Sequence, residues 1–301
     1  MAFDPSDGNR YVTDGGLETD LIYHYGLDLP GFASFPLLED GSGREHLTAY
    51  YDGYAAIADR VGSGLLLEAP TWRANPDWGA TLGYDAAALD RINRTAIEFL
   101  QHLRPRWTGI DQVVLSGAIG PRGDGYIAGE RPETAEAARY HRPQLEAFAA
   151  AGADLAHAMT MTTPAEAAGI VHAAHEVGLP VAISFTVETD GRLPDGTTLG
   201  AALTEVAAAG QVAYFGVNCA HPDHIAQGLL DAPATQVITA LRPNASRLSH
   251  AELDAAEALD EGDLADLRAT LDEIRPHLPG LRIVGGCCGT DARHVAALWH
   301  V

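Results

Sequence analysis

Short apolar runs alternate with longer amphipathic stretches along almost the whole chain. Runs rich in Val, Ile, Leu and Ala, with few polar interruptions, are the pattern of strands buried on both faces. Such runs predict strands at Tyr11–Thr13, Leu65–Glu68, Gln112–Ser116, Asp154–Met159, Val181–Val187, Ala213–Asn218, Gln236–Leu241 and Arg282–Val284. Between them apolar positions recur at helical spacing. In Glu45–Val61 the stripe is Leu47, Tyr51, Tyr54 and Ile57/Ala58; in Ala86–Arg104 it is Leu89, Ile92, Ala96/Ile97 and Leu100. Further helices are predicted over Ala135–Ala151, Pro164–Val177, Leu199–Ala209, Ala251–Leu259, Leu264–His277 and Asp291–Trp299, with Gly152, Gly178 and Gly210 at C-terminal caps.

A strand-then-helix alternation closed by a final helix predicts an α/β protein, a (β/α)8 TIM barrel forming a single domain over residues 1–301. The polar, acidic stretch 242–263 interrupts the pattern and is expected to be an elaborated loop with a short helix. The Asp40-Gly41-Ser42-Gly43 stretch reads as a mobile loop before the first helix. Periodicity alone says nothing about closure, so an open doubly wound sheet fits the same pattern.

Composition narrows the chemistry. The 301 residues carry 41 Asp and Glu against 19 basic residues, a formal charge of −22. Such a chain has little to offer phosphate backbones or anionic lipid surfaces, so neither nucleic acid nor membrane is expected as a partner. All 19 basic residues are Arg. Without lysine there is no Schiff-base chemistry and no P-loop. The N-terminal segment lacks an apolar signal core and no run is long enough to span a bilayer. Three cysteines, two of them adjacent, do not make a disulfide framework, and a reducing, cytoplasmic setting is expected.

In this architecture chemistry gathers at the C-terminal ends of strands. Those ends read Asp14-Gly15-Gly16-Leu17-Glu18, Glu68-Ala69-Pro70-Thr71-Trp72, Ser116-Gly117-Ala118-Ile119-Gly120-Pro121, Gly216-Val217-Asn218-Cys219 and Gly285-Gly286-Cys287-Cys288-Gly289-Thr290. All the cysteines fall on one rim, at strands six and eight. Two readings stand at this point. Free Cys is often a small buried hydrophobe; alternatively three converging thiolates hold Zn2+ and leave a fourth position open. Among 13 histidines, His221 and His224 follow Cys219 closely and are secondary ligand candidates, whereas His24, His46, His102, His141, His172, His175 and His277 are expected at the surface.

The motifs GVNC at 216–219 and GGCCGT at 285–290, behind DGGLET at 14–19, resemble the zinc-dependent homocysteine S-methyltransferase family. SGAIGPRGDGY at 116–126 and GADL at 152–155 extend the resemblance over nearly the whole chain. It implies a barrel in which Cys219, Cys287 and Cys288 bind Zn2+ and act as the catalytic centre, with Asn218 beside them. The fourth position receives the thiol of the acceptor, homocysteine or a relative, and a small donor supplies the methyl group, S-methylmethionine or another sulfonium; the setting is methionine biosynthesis. By the same resemblance Asp14 lies near the acceptor's amino group and the amides around Gly117, Ala118 and Ile119 near its carboxylate. Trp72, Tyr126 and Tyr25 are candidates to hold a cationic donor over their rings.

The chain departs from this pattern twice. Where relatives carry a Glu-Thr pair after strand four it reads Ala158-Met159-Thr160, and at strand two it reads Glu68-Ala69-Pro70-Thr71-Trp72. An acceptor ammonium therefore needs another carboxylate, Glu68 or Glu188, or the acceptor lacks one. A zinc hydrolase and a thiol- or zinc-binding barrel without methyl transfer are the alternatives, and a homo-oligomer is compatible with the sequence.

Overall fold

A computed structural model describes residues 8–129, 131–230 and 233–301. Eight strands form a closed parallel barrel in sequence order: β1 (Tyr11–Thr13), β2 (Gly64–Glu68), β3 (Val113–Ile119), β4 (Leu155–Met161), β5 (Val181–Phe185), β6 (Phe215–Asn218), β7 (Ile238–Arg242) and β8 (Ile283–Val284). Closure is made by β8, which pairs with β7 on one side and β1 on the other. The open-sheet alternative is thereby excluded.

Each strand has two buried faces. Outward positions such as Val12, Leu65, Leu67, Leu115, Ile183 and Leu241 join the large apolar layer beneath the helices. Inward positions begin with a separate apolar plug of Tyr11, Leu66, Val114, Leu155, Ala182, Tyr214, Ala240 and Ile283. The side-chain period of two then dictates the next inward layer, toward the C-terminal ends: Thr13, Glu68, Ser116, His157, Ser184 and Arg242. The interior is thus apolar at the base and charged at the mouth. Burial of so many polar groups requires partners, and the mouth is where they meet.

The helices follow the predicted stripes, and several ends differ for local reasons. The first long helix runs Gly41–Val61 because the Asp40 carboxylate accepts the Gly43 N–H at 2.7 Å. The stretch read as a mobile loop is the helix's capped first turn. A short helix, Pro76–Thr81, follows the β2 loop, capped by Asn75 through the Trp78 N–H. Arg242 is the last residue of β7, and the helix expected at Ala251–Leu259 is His250–Asp254, opened by a Ser249–Glu252 capping box. The helix Pro164–Val177 ends on Gly178 in the left-handed region at φ 76°. Among the described residues no helix is long and apolar enough to cross a membrane.

Candidate metal centre

Backbone geometry, before any side chain, aims the cysteines. Cys219 follows β6 in the left-handed conformation, φ 60°, which costs a non-glycine residue of order 1 kcal/mol. The surroundings over-determine it. Its N–H donates to Arg242 O at 3.0 Å, and its carbonyl accepts from His250 Nε2 (2.8 Å), Asn244 Nδ2 (3.1 Å) and Thr186 Oγ1 (3.2 Å). After β8, the Gly286 N–H donates to Asp14 O at 2.9 Å and the Cys287 N–H to Pro243 O at 2.8 Å. Gly285 is forced by close approach: a Cβ there would stand 2.5 Å from Asp14 O.

These turns bring the three Sγ atoms within 4.8 Å of one another, with Cys219 Sγ and Cys288 Sγ 3.5 Å apart. Asn218 Nδ2 approaches Cys287 Sγ at 3.7 Å and donates to Thr160 Oγ1 at 2.7 Å, while Asn218 Oδ1 accepts the Thr160 N–H at 2.7 Å. Thr160 is itself left-handed, φ 59°, so this reciprocal pair fixes a strained turn beside the sulfurs. Tyr126 Oη lies 3.3 Å from Cys219 Sγ, and its ring stacks on His250 at 4.1 Å and 8°. Hydrogen bonds with Cys219 and Cys288 hold the Cys287 thiol well below its ordinary range, while hydrogen bonds with Cys287 and then Cys288 push Cys219 up.

Under the sulfurs lies a cavity of about 350 Å³. Asp14, Glu68, Trp72, Ala118, Met159 and Asn218 line it together with the three cysteines. The other expected contacts are elsewhere. Gly117 and Ile119 point from β3 into the helical layer: a Cβ on Gly117 would meet the Phe148 ring, and Ile119 is in the outer apolar cluster. The turn expected to present free amides is strand, and the Gly120 N–H is taken by Trp72 O at 3.0 Å. Glu188 stands outside the cavity, where its carboxylate meets His250 Nδ1 at 2.9 Å. Tyr25 is 47% exposed and packs on His46, away from the cavity. His221 caps the helix Pro222–Leu229, its Nδ1 accepting the Asp223 N–H, and neither His221 nor His224 joins the sulfur cluster. His141, expected at the surface, is buried with Nε2 2.9 Å from Glu166.

Three further polar residues at the site were not anticipated. Arg242 is buried, with Nη2 3.0 Å from Asp14 Oδ1 and Nη1 3.6 Å from Glu68 Oε1. His157 bridges Glu68 (Nδ1, 2.6 Å) and Ser184 (Nε2, 2.7 Å). Burial alone would raise Glu68, but His157 and then Arg242 outweigh it and hold the carboxyl below its usual range. Asp14 goes the other way, because desolvation exceeds its attraction to Arg242 and Glu68 adds like-charge repulsion. Arg242 carried a signal, a charge closing the run Ile-Thr-Ala-Leu. His157 carried the signal of a polar residue at an inward position of β4. His250 opens a short helix whose placement is set by the preceding loop, a path no pattern fixes.

A three-thiol cluster at the barrel mouth, over a cavity of reactant size, agrees with a match at the level of whole families. The profile described as homocysteine S-methyltransferase matches residues 11–301. The chain belongs to the homocysteine S-methyltransferase family. Within it, the chain is 26% identical over 254 residues to the homocysteine S-methyltransferase of Escherichia coli strain K12, covering 79% of this chain and 80% of that one. It is 27% identical over 236 residues to homocysteine S-methyltransferase YbgG of Bacillus subtilis strain 168, covering 72% of each. The crystal structure of the Escherichia coli homocysteine methyltransferase MmuM in its metallated form superposes with TM-score 0.77 at 21% identity, over 98% of this chain and 97% of that one. That likeness is one of fold.

Proposed function

We propose that this protein transfers a methyl group from a small donor, S-methylmethionine or another sulfonium, to the sulfur of homocysteine or a related thiol, at a zinc ion held by Cys219, Cys287 and Cys288. The observation that carries this reading is the convergence of the three Sγ atoms within 4.8 Å at the C-terminal mouth of the barrel. Three soft sulfur donors suit Zn2+ better than any hard cation, and a zinc ion held by them would have one further position for the acceptor. When bound, zinc supplies a Lewis acid that keeps the acceptor's sulfur deprotonated near neutral pH.

The chain's own residues do the rest. Hydrogen bonds with Cys219 and Cys288, and then the Arg242 charge, hold the Cys287 thiol well below its ordinary range. Asn218 and Tyr126 approach Cys287 and Cys219, fixing where the sulfurs point. Gly15 and Gly16 let β1 pass against the Cys287 and Thr290 backbone; a Cβ on Gly16 would stand 2.5 Å from Cys287 O. For the acceptor's polar end, Asp14, Glu68 and Arg242 form a buried group in which one cation faces two carboxylates. Glu68 is the carboxylate available to replace the one absent at Met159, since Glu188 lies beyond His250.

The test is methyl transfer by zinc-loaded protein, comparing homocysteine with the des-amino thiol 4-mercaptobutyrate. Methylation that prefers homocysteine, and loses the preference in Glu68→Gln, supports an ammonium read by Glu68. Equal or better turnover of 4-mercaptobutyrate assigns an acceptor without the ammonium. No methyl transfer to any thiol from any onium donor refutes the methyltransferase reading.

A further inference from the structure

The cavity holds a second guanidinium, and among the described residues no carboxylate lies within ion-pair distance of it. Arg73, on the loop after β2, is 7% exposed and lines the same cavity as the sulfurs. Its guanidinium carbon lies 3.8 Å from the Trp78 ring centroid and 4.3 Å from that of Trp72, so the cation is held between two indoles. Among the described residues, Nη1 donates to Gly123 O at 3.0 Å, Nε is buried without a partner, and no carboxylate pairs with the group. The nearest acid by charge is Asp124, whose Oδ1 instead accepts the Tyr126 and Ile127 N–H groups at 2.7 and 3.2 Å.

Asp124 and Glu18 favour the charge only from beyond ion-pair distance, and a buried guanidinium with an idle donor and no ion-paired carboxylate is costly to keep. Arg242, the other buried arginine of the cavity, is surrounded by Asp14, Glu68 and the Gly15 and Gly286 carbonyls. Arg73 is treated differently: it is fixed flat by aromatic faces and makes no ion pair among the described residues. The indole faces of Trp72 and Trp78 that Arg73 covers are not free for an onium ion.

We propose that Arg73 is a carboxylate-binding residue of the reactant cavity, so that at least one of the two reactants is a carboxylic acid anchored there. This rests on the methyl-transfer reading for the roles of the reactants, and the charge pairing is measurable without turnover. Two matched pairs separate the sources: 3-mercaptopropionate against 2-mercaptoethanol for the acceptor, and dimethylsulfoniopropionate against trimethylsulfonium for the donor.

Binding is read from indole fluorescence, since Trp72 and Trp78 flank the guanidinium, in zinc-loaded wild type, Arg73→Gln and Arg73→Lys. In at least one pair the carboxylate should bind about 10- to 100-fold tighter than its neutral or purely cationic partner, the range of a charge-assisted hydrogen-bonded pair. Arg73→Gln should erase that preference while moving the partner compound by less than about threefold, and Arg73→Lys should keep part of it. The pair that responds names the reactant. No carboxylate preference in either pair, or a preference that Arg73→Gln leaves intact, overturns the proposal. Should Arg73→Gln not fold, competition in wild type decides: propionate must displace the responding carboxylate ligand, and its failure to do so overturns the proposal. Failure of methyl transfer with intact Arg73-dependent binding refutes the proposed reaction alone.

Discussion

Arg242 Nη2 and Asp14 Oδ1 face each other across 3.0 Å at the mouth of the barrel, both side chains 5% exposed or less. The same guanidinium reaches Glu68 from Nη1 at 3.6 Å and donates from Nε to Gly286 O at 3.0 Å, one residue before Cys287. One buried cation therefore ties the ends of β1, β2 and β7 to the loop that carries two of the three thiols. Arg242→Leu strands the buried Asp14 carboxylate and leaves Glu68 with His157 as its remaining partner. We expect a loss of about 3–5 kcal/mol, the usual cost of removing one partner of a buried ion pair, read as a lowered midpoint in urea unfolding of metal-free protein. A change under about 1 kcal/mol would mean that the pair is solvated.

Gly16 bears on the metal directly. Its φ is −83°, so the backbone tolerates alanine, but the new Cβ would stand 2.5 Å from Cys287 O and from Thr19 Oγ1. Gly16→Ala should displace the Gly285–Thr290 turn and weaken zinc about 10- to 100-fold, as outer contacts of metal ligands typically do. Competition with a chromophoric chelator measures this. Unchanged affinity would show that the turn yields freely.

His250 holds the third thiol from behind. It donates to the Cys219 carbonyl at 2.8 Å and stacks on Tyr126, whose hydroxyl meets Cys219 Sγ. His250→Ala leaves the left-handed Cys219 with weaker support and frees the tyrosine. We expect zinc affinity to fall about 10-fold or more, and Tyr126→Phe to fall less, because it removes the hydroxyl and keeps the stack. The same chelator competition ranks the two, and the reverse order would place the hydroxyl first.

Glu18 supplies a pH signature. Desolvation, opposed by the Ser34 hydroxyl at 2.7 Å, pushes its carboxyl up to about 6 from an ordinary 4.5. A raised folded value means that the folded state holds the proton longer. The stability present below pH 4.5 is lost as pH rises through 6. In metal-free protein Glu18→Gln should match wild type below that window and exceed it at pH 7–8 by no more than about 2 kcal/mol, since the carboxyl is partly open to the cavity. Unfolding midpoints across pH measure it; a gain below pH 4.5 that disappears by pH 7 would reverse the sign.

Much of this architecture is written in the apolar pattern. The predicted Tyr11–Thr13 is β1, and every other predicted strand overlaps an observed one, because a strand buried on both faces has no freedom to be polar. The ends slipped where tertiary partners extend the ladder: β3 continues to Ile119 and β4 to Met161. The helix start at Gly41 was missed because a capping aspartate overrides the low helix propensity of Gly-Ser-Gly. At the site, the cysteines were legible because they fall at strand ends on one rim, where they can converge, and their Sγ atoms do meet. Glu188 and Tyr25 were misplaced because loop direction, unlike strand register, is not periodic. Arg242, His157 and Arg73 escaped notice because their meaning lies in partners brought from other strands and loops.

The three-thiol centre is tested most directly by the zinc content of protein purified under reducing conditions, wild type beside Cys287→Ser. About one zinc per chain in wild type, and its loss in the variant, is the expected result. Wild-type protein that holds no zinc, even after anaerobic reconstitution, would contradict the centre and the methyl transfer built on it.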